Sequence, residues 1–451
     1  MAEQVDVVVV GMGPGGEAAA GELARAGLDV IGVESRLVGG ECPYYGCIPS
    51  KMAVRAADAL AEARRVPALG GTTEVTPDFA TVARRIRDEA TDDWDDQVAA
   101  DRFEQAGGRL VRGRGVLTAP GTVRVEGREF TASKAVILNT GTEPAVPPIE
   151  GLADTPFWTN REAVAATEAP ASLIVLGGGA IGLELAQAFS RFGSQVTVVE
   201  AADRLMSLEE PESSRLVADV LAAEGLQVHT GASVDRVAHD GEKFTVTAGG
   251  LALEAERLLV ATGRRPNFKD LGLESVGVDV SGRALETDAH LRVADGLYAI
   301  GDITGKGAFT HMSMYQASIV SAHVLGRGGP GAEYHAVPRV TFTDPEVGAV
   351  GLTERQARDQ GLDVATAVSE IPSSSRGWIH KVGNEGFVKL VADSGRGILV
   401  GATSAGPTGG EVLSMLTLAV SERTPIERLR RMIYAYPTFH RAVEDALTRL
   451  P

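Results

Sequence analysis

One module occurs twice in this chain and narrows the folds open to it. The β-branched run Val5 to Val10 stops at Gly11-Met-Gly13-Pro-Gly-Gly16, and an Ala-rich helix then runs to Ala26 and ends at Gly27. The next apolar run, Leu28 to Val33, ends in Glu34. Later, Leu173 to Leu176 leads into Gly177-Gly-Gly179-Ala-Ile-Gly182, a helix to about Phe192 closed by Gly193, and the run Gln195 to Val199 ending in Glu200. Each acid follows the first glycine of its own motif by 23 positions, so the two copies align without a gap. Apolar runs rich in β-branched residues and closed by glycine read as strands buried on both faces of a parallel sheet. Self-similarity of this kind is a repeated structural unit, here βαβ.

The unit has a specific chemistry. The first glycine allows the tight turn, the second lets backbone approach a pyrophosphate, and the third lets helix and strand pack closely. The helix start adds N–H groups and a partial positive charge. Glu34 and Glu200 are then placed to accept hydrogen bonds from a ribose diol. A carboxylate at a 2′-hydroxyl disfavours a 2′-phosphate, so Glu200 favours NADH over NADPH, with Arg204 four residues on softening that preference.

At roughly 100–200 residues per domain, 451 residues suggest three domains. The predicted class is α/β: two Rossmann-like dinucleotide-binding domains plus a C-terminal α+β domain. The expected boundaries are 1–148 and 263–333 for the two parts of the first domain, 149–262 for the second and 334–451 for the third. A Gly/Pro-rich stretch, Gly326 to Gly331, precedes the change of pattern, after which alternating strands and three helices near 409–421, 425–432 and 438–450 follow. The formal net charge of -17 repels nucleic-acid backbones and anionic membrane surfaces, so neither is expected as a partner. The N-terminus has no basic leader, and no run reaches the ~18 apolar residues of a membrane span, so the expected location is cytoplasmic.

There are two cysteines, Cys42 and Cys47. A structural disulfide over so short a loop is worth about 2 kcal/mol, against nearly 5 for a loop of about 100 residues. Two cysteines cannot form a Cys-only zinc site, and no metal is expected. Residues five apart on a regular helix diverge by about 140°. Pro43 and Gly46 instead suggest an irregular turn able to bring the sulfurs together, with helix beginning near Cys47 and its terminal field stabilising that thiolate. The pair starts eight residues after Glu34, and so lies close to the first nucleotide site.

The segment Gly39-Gly-Glu-Cys42-Pro-Tyr-Tyr-Gly-Cys47-Ile-Pro-Ser-Lys51 resembles the redox motif of the class I pyridine nucleotide-disulfide oxidoreductases, and the resemblance extends over nearly the whole chain. It implies FAD on the first repeat, NAD(P)H on the second, and a dimerisation domain at the C-terminus. It implies that Cys42 is the interchange thiol and Cys47 the charge-transfer thiol facing the flavin, with Lys51 near the flavin and paired to Glu184. It also implies that Gly301 and Asp302 form a second FAD motif, with Asp302 on the ribityl chain. Thr310 and His311 would start a helix at the pyrimidine edge, and Gly115 would contact the adenine. Thr140 and Gly141, with Val234 and Gly263 in the second repeat, complete the cofactor-binding set beside Gly11, Gly13, Gly16, Gly177, Gly179 and Gly182. The expected enzyme is a homodimer whose active site is completed across the interface, passing electrons from NAD(P)H through FAD and the cysteine pair to a small disulfide. The alternative is a quinone or dye reductase of the same fold, in which the flavin reduces the acceptor directly.

One family feature is missing. Many members carry a C-terminal His-Pro-x-x-x-Glu whose histidine is the partner subunit's acid/base. Here Tyr436 stands at the His position and Arg441 at the Glu position. A tyrosine, with a pKa near 10, is a poor proton shuttle at neutral pH. Two residues are candidate substitutes: Tyr436 itself, or His440 one turn into the last helix and oriented by Glu444 four residues later. The other reading of His440 and Glu444 is an exposed surface pair. No Cys follows Cys47, so the C-terminal cysteine pair through which mercuric reductase delivers its metal is absent.

Overall fold

The N-terminal valine run becomes the strand Glu3–Val10, paired in parallel with Val30–Glu34 on one side and Arg128–Leu138 on the other. The computed structural model describes residues 2–451. By its internal contacts the chain divides into two units, the first made of residues up to Pro49, Arg85–Ala145 and Arg264–Tyr334. Its sheet has the order Arg292–Ala294, Leu297–Ala299, Arg128–Leu138, Glu3–Val10, Val30–Glu34, Arg109–Arg112. An antiparallel pair, Gly115–Ala119 and Thr122–Val125, branches from Arg128–Leu138. Helices Pro14–Arg25 and Thr310–Val324 cover one face, where Leu23, Val7, Ile137 and Val320 are fully buried.

The second unit comprises Ser50–Arg84, Val146–Gly263 and His335–Pro451. It holds a parallel sheet in the order Gln227–His229, Gln195–Val199, Ser172–Leu176, Arg257–Val260, and a three-stranded antiparallel sheet from Val234–His239, Phe244–Ala248 and Leu251–Ala255. Its five-stranded antiparallel sheet runs Pro338–Thr341, Glu346–Gly351, Ile398–Gly406, Phe387–Asp393, Val364–Glu370, and packs against the helices Gly409–Ser421 and Arg441–Arg449 through Leu390, Leu416 and Val443.

The repeat extends further than its sequence signature. Four parallel strands correspond in order between the two units, and each set encloses an antiparallel insertion before its last strand. The helix ends also match. Gly27 and Gly193 take φ of +90° and +105°, Leu28 N–H bonds to the Leu23 carbonyl, and Ser194 N–H bonds to the Phe189 carbonyl. A left-handed residue there closes the last turn cheaply only if it is glycine. Among the described residues no helix is long and apolar enough to cross a membrane.

Within the second unit, the Arg191 guanidinium is buried among carboxylates. It meets Asp58 at 2.6 Å, Glu224 at 2.6 Å and Asp344 at 2.7 Å, and Arg65 reaches Asp344 at 2.7 Å. This joins helix Cys47–Arg65 to helix Ala180–Arg191. Burial pushes the Asp58 carboxyl up to about 6, against the pull of Arg191. A pKa raised by folding contributes stability below the unfolded value near 4 and loses it as pH rises through about 6. Asp58→Asn removes that slope. Its melting temperature relative to the parent should rise steadily from about pH 4 to about pH 7; a difference independent of pH would rule the reading out.

Candidate active site

Both glycine turns are built alike. Gly11 and Gly177 take φ of +94° and +111°, and a Cβ on either would lie 2.4 Å from a carbonyl oxygen, that of Asn139 or Ala261. A Cβ on Gly16 would meet the Gly11 oxygen at 2.0 Å, and one on Gly182 the Gly177 oxygen at 2.2 Å. Gly13 and Gly179 are the N-cap residues of helices Pro14–Arg25 and Ala180–Arg191, both with extended backbone, ψ -178°. A glycine cap offers no side chain to the first-turn N–H groups. Each turn therefore presents unsatisfied donors and a partial positive charge, as a pyrophosphate requires. Around Gly179 no atom lies within 4 Å of an added Cβ, so the backbone there is open to approach. These features fit a dinucleotide at each turn.

The two acids are also held alike. Glu34 accepts from Met12 N–H at 2.8 Å and Arg36 N–H at 2.8 Å; Glu200 accepts from Gly178 N–H at 2.6 Å and Ala202 N–H at 2.7 Å. The bonded residues occupy matching places: one after the first glycine, and two after the acid. Burial pushes the Glu34 carboxyl above its ordinary value, against the pull of the Arg36 and Met12 N–H groups. Arg204 donates to the carbonyls of Met206, Ser207 and Glu209, at 3.2, 2.7 and 2.9 Å, and so is engaged by its own loop.

The first turn has a lock that the second lacks. Asn139 donates to the Gly11 carbonyl at 3.3 Å and accepts from Ser313 at 3.0 Å, where the second repeat has Ala261. Sequence reasoning missed Asn139; its signal was a polar residue directly after the apolar run Val136 to Leu138. Thr140 donates to the Asn267 carbonyl at 2.5 Å, and Gly141 takes φ +62°. Gly115 packs over Val10 and Val33, at the carboxyl ends of the parallel strands. Gly301 N–H is held by Gln316 at 2.6 Å. Asp302 accepts from Thr142 at 2.7 Å, and Arg264 donates to the same threonine hydroxyl at 2.6 Å. Burial raises the Asp302 carboxyl, while the Thr142 hydrogen bond lowers it. In the second unit Val234 opens the strand Val234–His239, and Gly263 takes φ +126°.

Cys42 lies in the four-residue helix Glu41–Tyr44, and Cys47 begins the 19-residue helix Cys47–Arg65. Tyr45, with φ -135°, breaks the first helix and makes the link irregular. Cys42 is half-buried and Cys47 exposed. The Cys47 sulfur lies 3.5 Å from the Thr310 hydroxyl, at the start of helix Thr310–Val324. One turn beyond Cys47, Lys51 donates to Glu184 at 2.6 Å. Glu184 is buried, and its other oxygen accepts from Phe342 N–H at 2.9 Å.

Helix Arg441–Arg449 begins with His440 as its N-cap, so His440 is not one turn inside it. Glu444 does not orient His440 either: its carboxylate forms an ion pair with Arg441 at 3.1 Å, an i,i+3 neighbour with the longer reach. Arg441 also stacks over the Tyr436 ring at 5.4 Å, and Tyr436 is 67% exposed in the single chain. Among the described residues no group of three or more His, Cys, Asp or Glu side chains is arranged to hold a metal.

A family described as pyridine nucleotide-disulphide oxidoreductase matches residues 5–318, and the dimerisation domain of the same family matches residues 337–447. The chain belongs to this family. It is 34% identical to a dihydrolipoyl dehydrogenase of Halobacterium salinarum over 98% of this chain and 95% of that one. It is 32% identical to a mercuric reductase of Staphylococcus aureus, over 96% and 80%. The HOCl-induced flavoprotein disulfide reductase RclA of Escherichia coli superposes with TM-score 0.86 at 28% identity, covering 98% of this chain and 99% of that one. As a member of the pyridine nucleotide-disulphide oxidoreductases, this chain is a flavoprotein enzyme of the FAD- and pyridine-nucleotide-dependent type, and its dimerisation domain makes it a homodimer.

Proposed function

We propose that this homodimeric flavoprotein carries electrons from NADH to a small disulfide through Cys42 and Cys47, in the cytoplasm. The observation that carries the reading is the placement of the two thiols: Cys47 at the start of a long helix, with Thr310 3.5 Å away, and Cys42 in a separate turn before it. The first glycine turn would hold FAD, which would supply a hydride acceptor between NADH and the cysteine pair. The helix field favours Cys47 as thiolate. Cys42 attacks one sulfur of the acceptor disulfide, forming a mixed disulfide and releasing one thiolate. Cys47 then attacks the Cys42 sulfur, which re-forms the Cys42–Cys47 disulfide and releases the second thiolate. Cys42 gives up its proton to water or to Tyr436 of the partner subunit as it attacks, and the two released thiolates take up two protons in all, that one and one from solvent. The Lys51–Glu184 pair fixes an ammonium one turn beyond Cys47.

A second reading, direct reduction of a quinone or dye, is favoured by one observation: Tyr436 under Arg441 replaces the family's histidine–glutamate pair. Steady-state oxidation of NADH and NADPH against lipoamide, glutathione disulfide, mycothiol disulfide and quinones separates the two. Turnover with a disulfide supports the first; turnover with quinones alone overturns it.

The nucleotide preference rests on Glu200, because Arg204 is already engaged by its own loop. Glu200→Ala should raise the KM for NADH about tenfold, the worth of one charge-assisted hydrogen bond, and leave that for NADPH unchanged or lower. An equal effect on both coenzymes would remove Glu200 as the discriminating group.

A further inference from the structure

The segment before helix Gln97–Gln105 is unusual in backbone and in hydrogen bonding. A π-helical turn, Ile86–Ala90, is followed by three consecutive left-handed residues: Asp92, Asp93 and Trp94, with φ of +49°, +53° and +58°. Aspartate tolerates that region, but a bulky residue there is an outlier. Strain of this kind persists only where the surroundings impose it, and it clusters at functional sites. Asp96 adds a second anomaly. It is the N-cap of Gln97–Gln105, yet its side chain makes no capping bond. Its carboxylate instead accepts from Val38 N–H at 2.6 Å and from both terminal nitrogens of Arg112, at 2.6 and 2.7 Å.

Both anomalies serve the same loop. The Trp94 indole N–H donates to the Tyr44 carbonyl at 3.2 Å. Tyr44 ends the four-residue helix that carries Cys42, and its carbonyl is one that a helix terminus leaves without an internal partner. Asp96 holds the loop at its start, at Val38, and Trp94 holds it just after Cys42. The backbone of Cys42 is thus suspended between two points supplied by one strained turn.

We propose that Trp94 is a positioning residue for Cys42: by satisfying the Tyr44 carbonyl it fixes the turn from which Cys42 attacks its acceptor. The proposal rests on the reading of Cys42 as the exchange thiol. Its test reads the thiol directly, in the full-length FAD-bound dimer reduced with NADH, by the rate of iodoacetamide alkylation at Cys42 and Cys47 resolved by mass spectrometry. Trp94→Phe keeps the ring and removes the donor. It should change Cys42 alkylation by about fivefold, leave Cys47 within about twofold, and lower kcat with a disulfide without moving the KM for NADH. Asp93→Gly takes the left-handed conformation without strain and leaves Trp94 in place. It should not lower the melting temperature, yet should raise Cys42 alkylation about threefold by loosening the turn. Unchanged Cys42 alkylation in both variants would overturn the proposal. Disulfide turnover that survives in Cys42→Ser would overturn the exchange reading alone, since the alkylation comparison does not depend on the acceptor.

Discussion

Cys42→Ser is expected to lower turnover with a disulfide acceptor by at least about 1000-fold, because a serine hydroxyl cannot form the mixed disulfide. Reduction of the bound flavin by NADH should persist, since the second glycine turn and Glu200 belong to a separate segment of the chain. Quinone turnover should fall by less than about tenfold if the flavin serves that acceptor itself. Stopped-flow bleaching of the flavin absorbance, with steady-state assays on both acceptors, checks each statement. Disulfide turnover within about tenfold of the parent would remove Cys42 from the mechanism and leave the quinone reading standing.

The largest stability effect is expected at Arg191. Its side chain is 3% exposed, and its guanidinium meets Asp58, Glu224 and Asp344. Arg191→Ala leaves these three carboxylates without their shared cation, with only Arg65 still reaching Asp344. Removing one partner of a buried ion pair costs about 3–5 kcal/mol, because the remaining charge keeps its desolvation penalty. The variant should melt several degrees lower at neutral pH and recover part of the loss on acidification, as Asp58, already raised to about 6 by burial, takes up a proton. Denaturant unfolding at about pH 5 and about pH 8 measures the difference; a loss below about 1 kcal/mol at both would mean the cluster is hydrated enough to need no central cation. The Lys51–Glu184 pair joins the same two helices, Cys47–Arg65 and Ala180–Arg191, nearer their starts. Arg191→Ala therefore also tests whether the distal cluster keeps that pair in register, read as a change in kcat beyond the change in stability.

The features legible in sequence are those with short-range physical causes. A buried parallel strand must be apolar on both faces, a turn with φ near +94° must be glycine, and a helix ended by a left-handed residue prefers glycine too. So the two βαβ units, their spacing to Glu34 and Glu200, and the α+β change after Gly331 could all be read from residue order. The cysteine spacing, with Pro43 and Gly46 between, likewise signalled an irregular turn before the chain was folded.

Long-range partnerships were not legible, because nothing local encodes them. Asn139 follows a strand like Ala261 does, and only packing against helix Thr310–Val324 turns it into a lock on Gly11. Arg204 looked available to a phosphate by its place in the chain, yet three carbonyls of its own loop take its donors. His440 and Glu444 matched an i,i+4 pair, but a helix that starts at Arg441 rather than near 438, and the longer reach of Arg441, give Glu444 to a different partner. Trp94 carried no motif at all. Its role near Cys42 depends on a segment folding back across a sequence separation of 50 to bring an indole N–H to the end of a short helix. Glycine turns and buried runs are imposed by backbone sterics and solvent, and any reader of the chain can find them; the choice of which charged or polar side chain meets which is made only when distant segments share one low-dielectric neighbourhood.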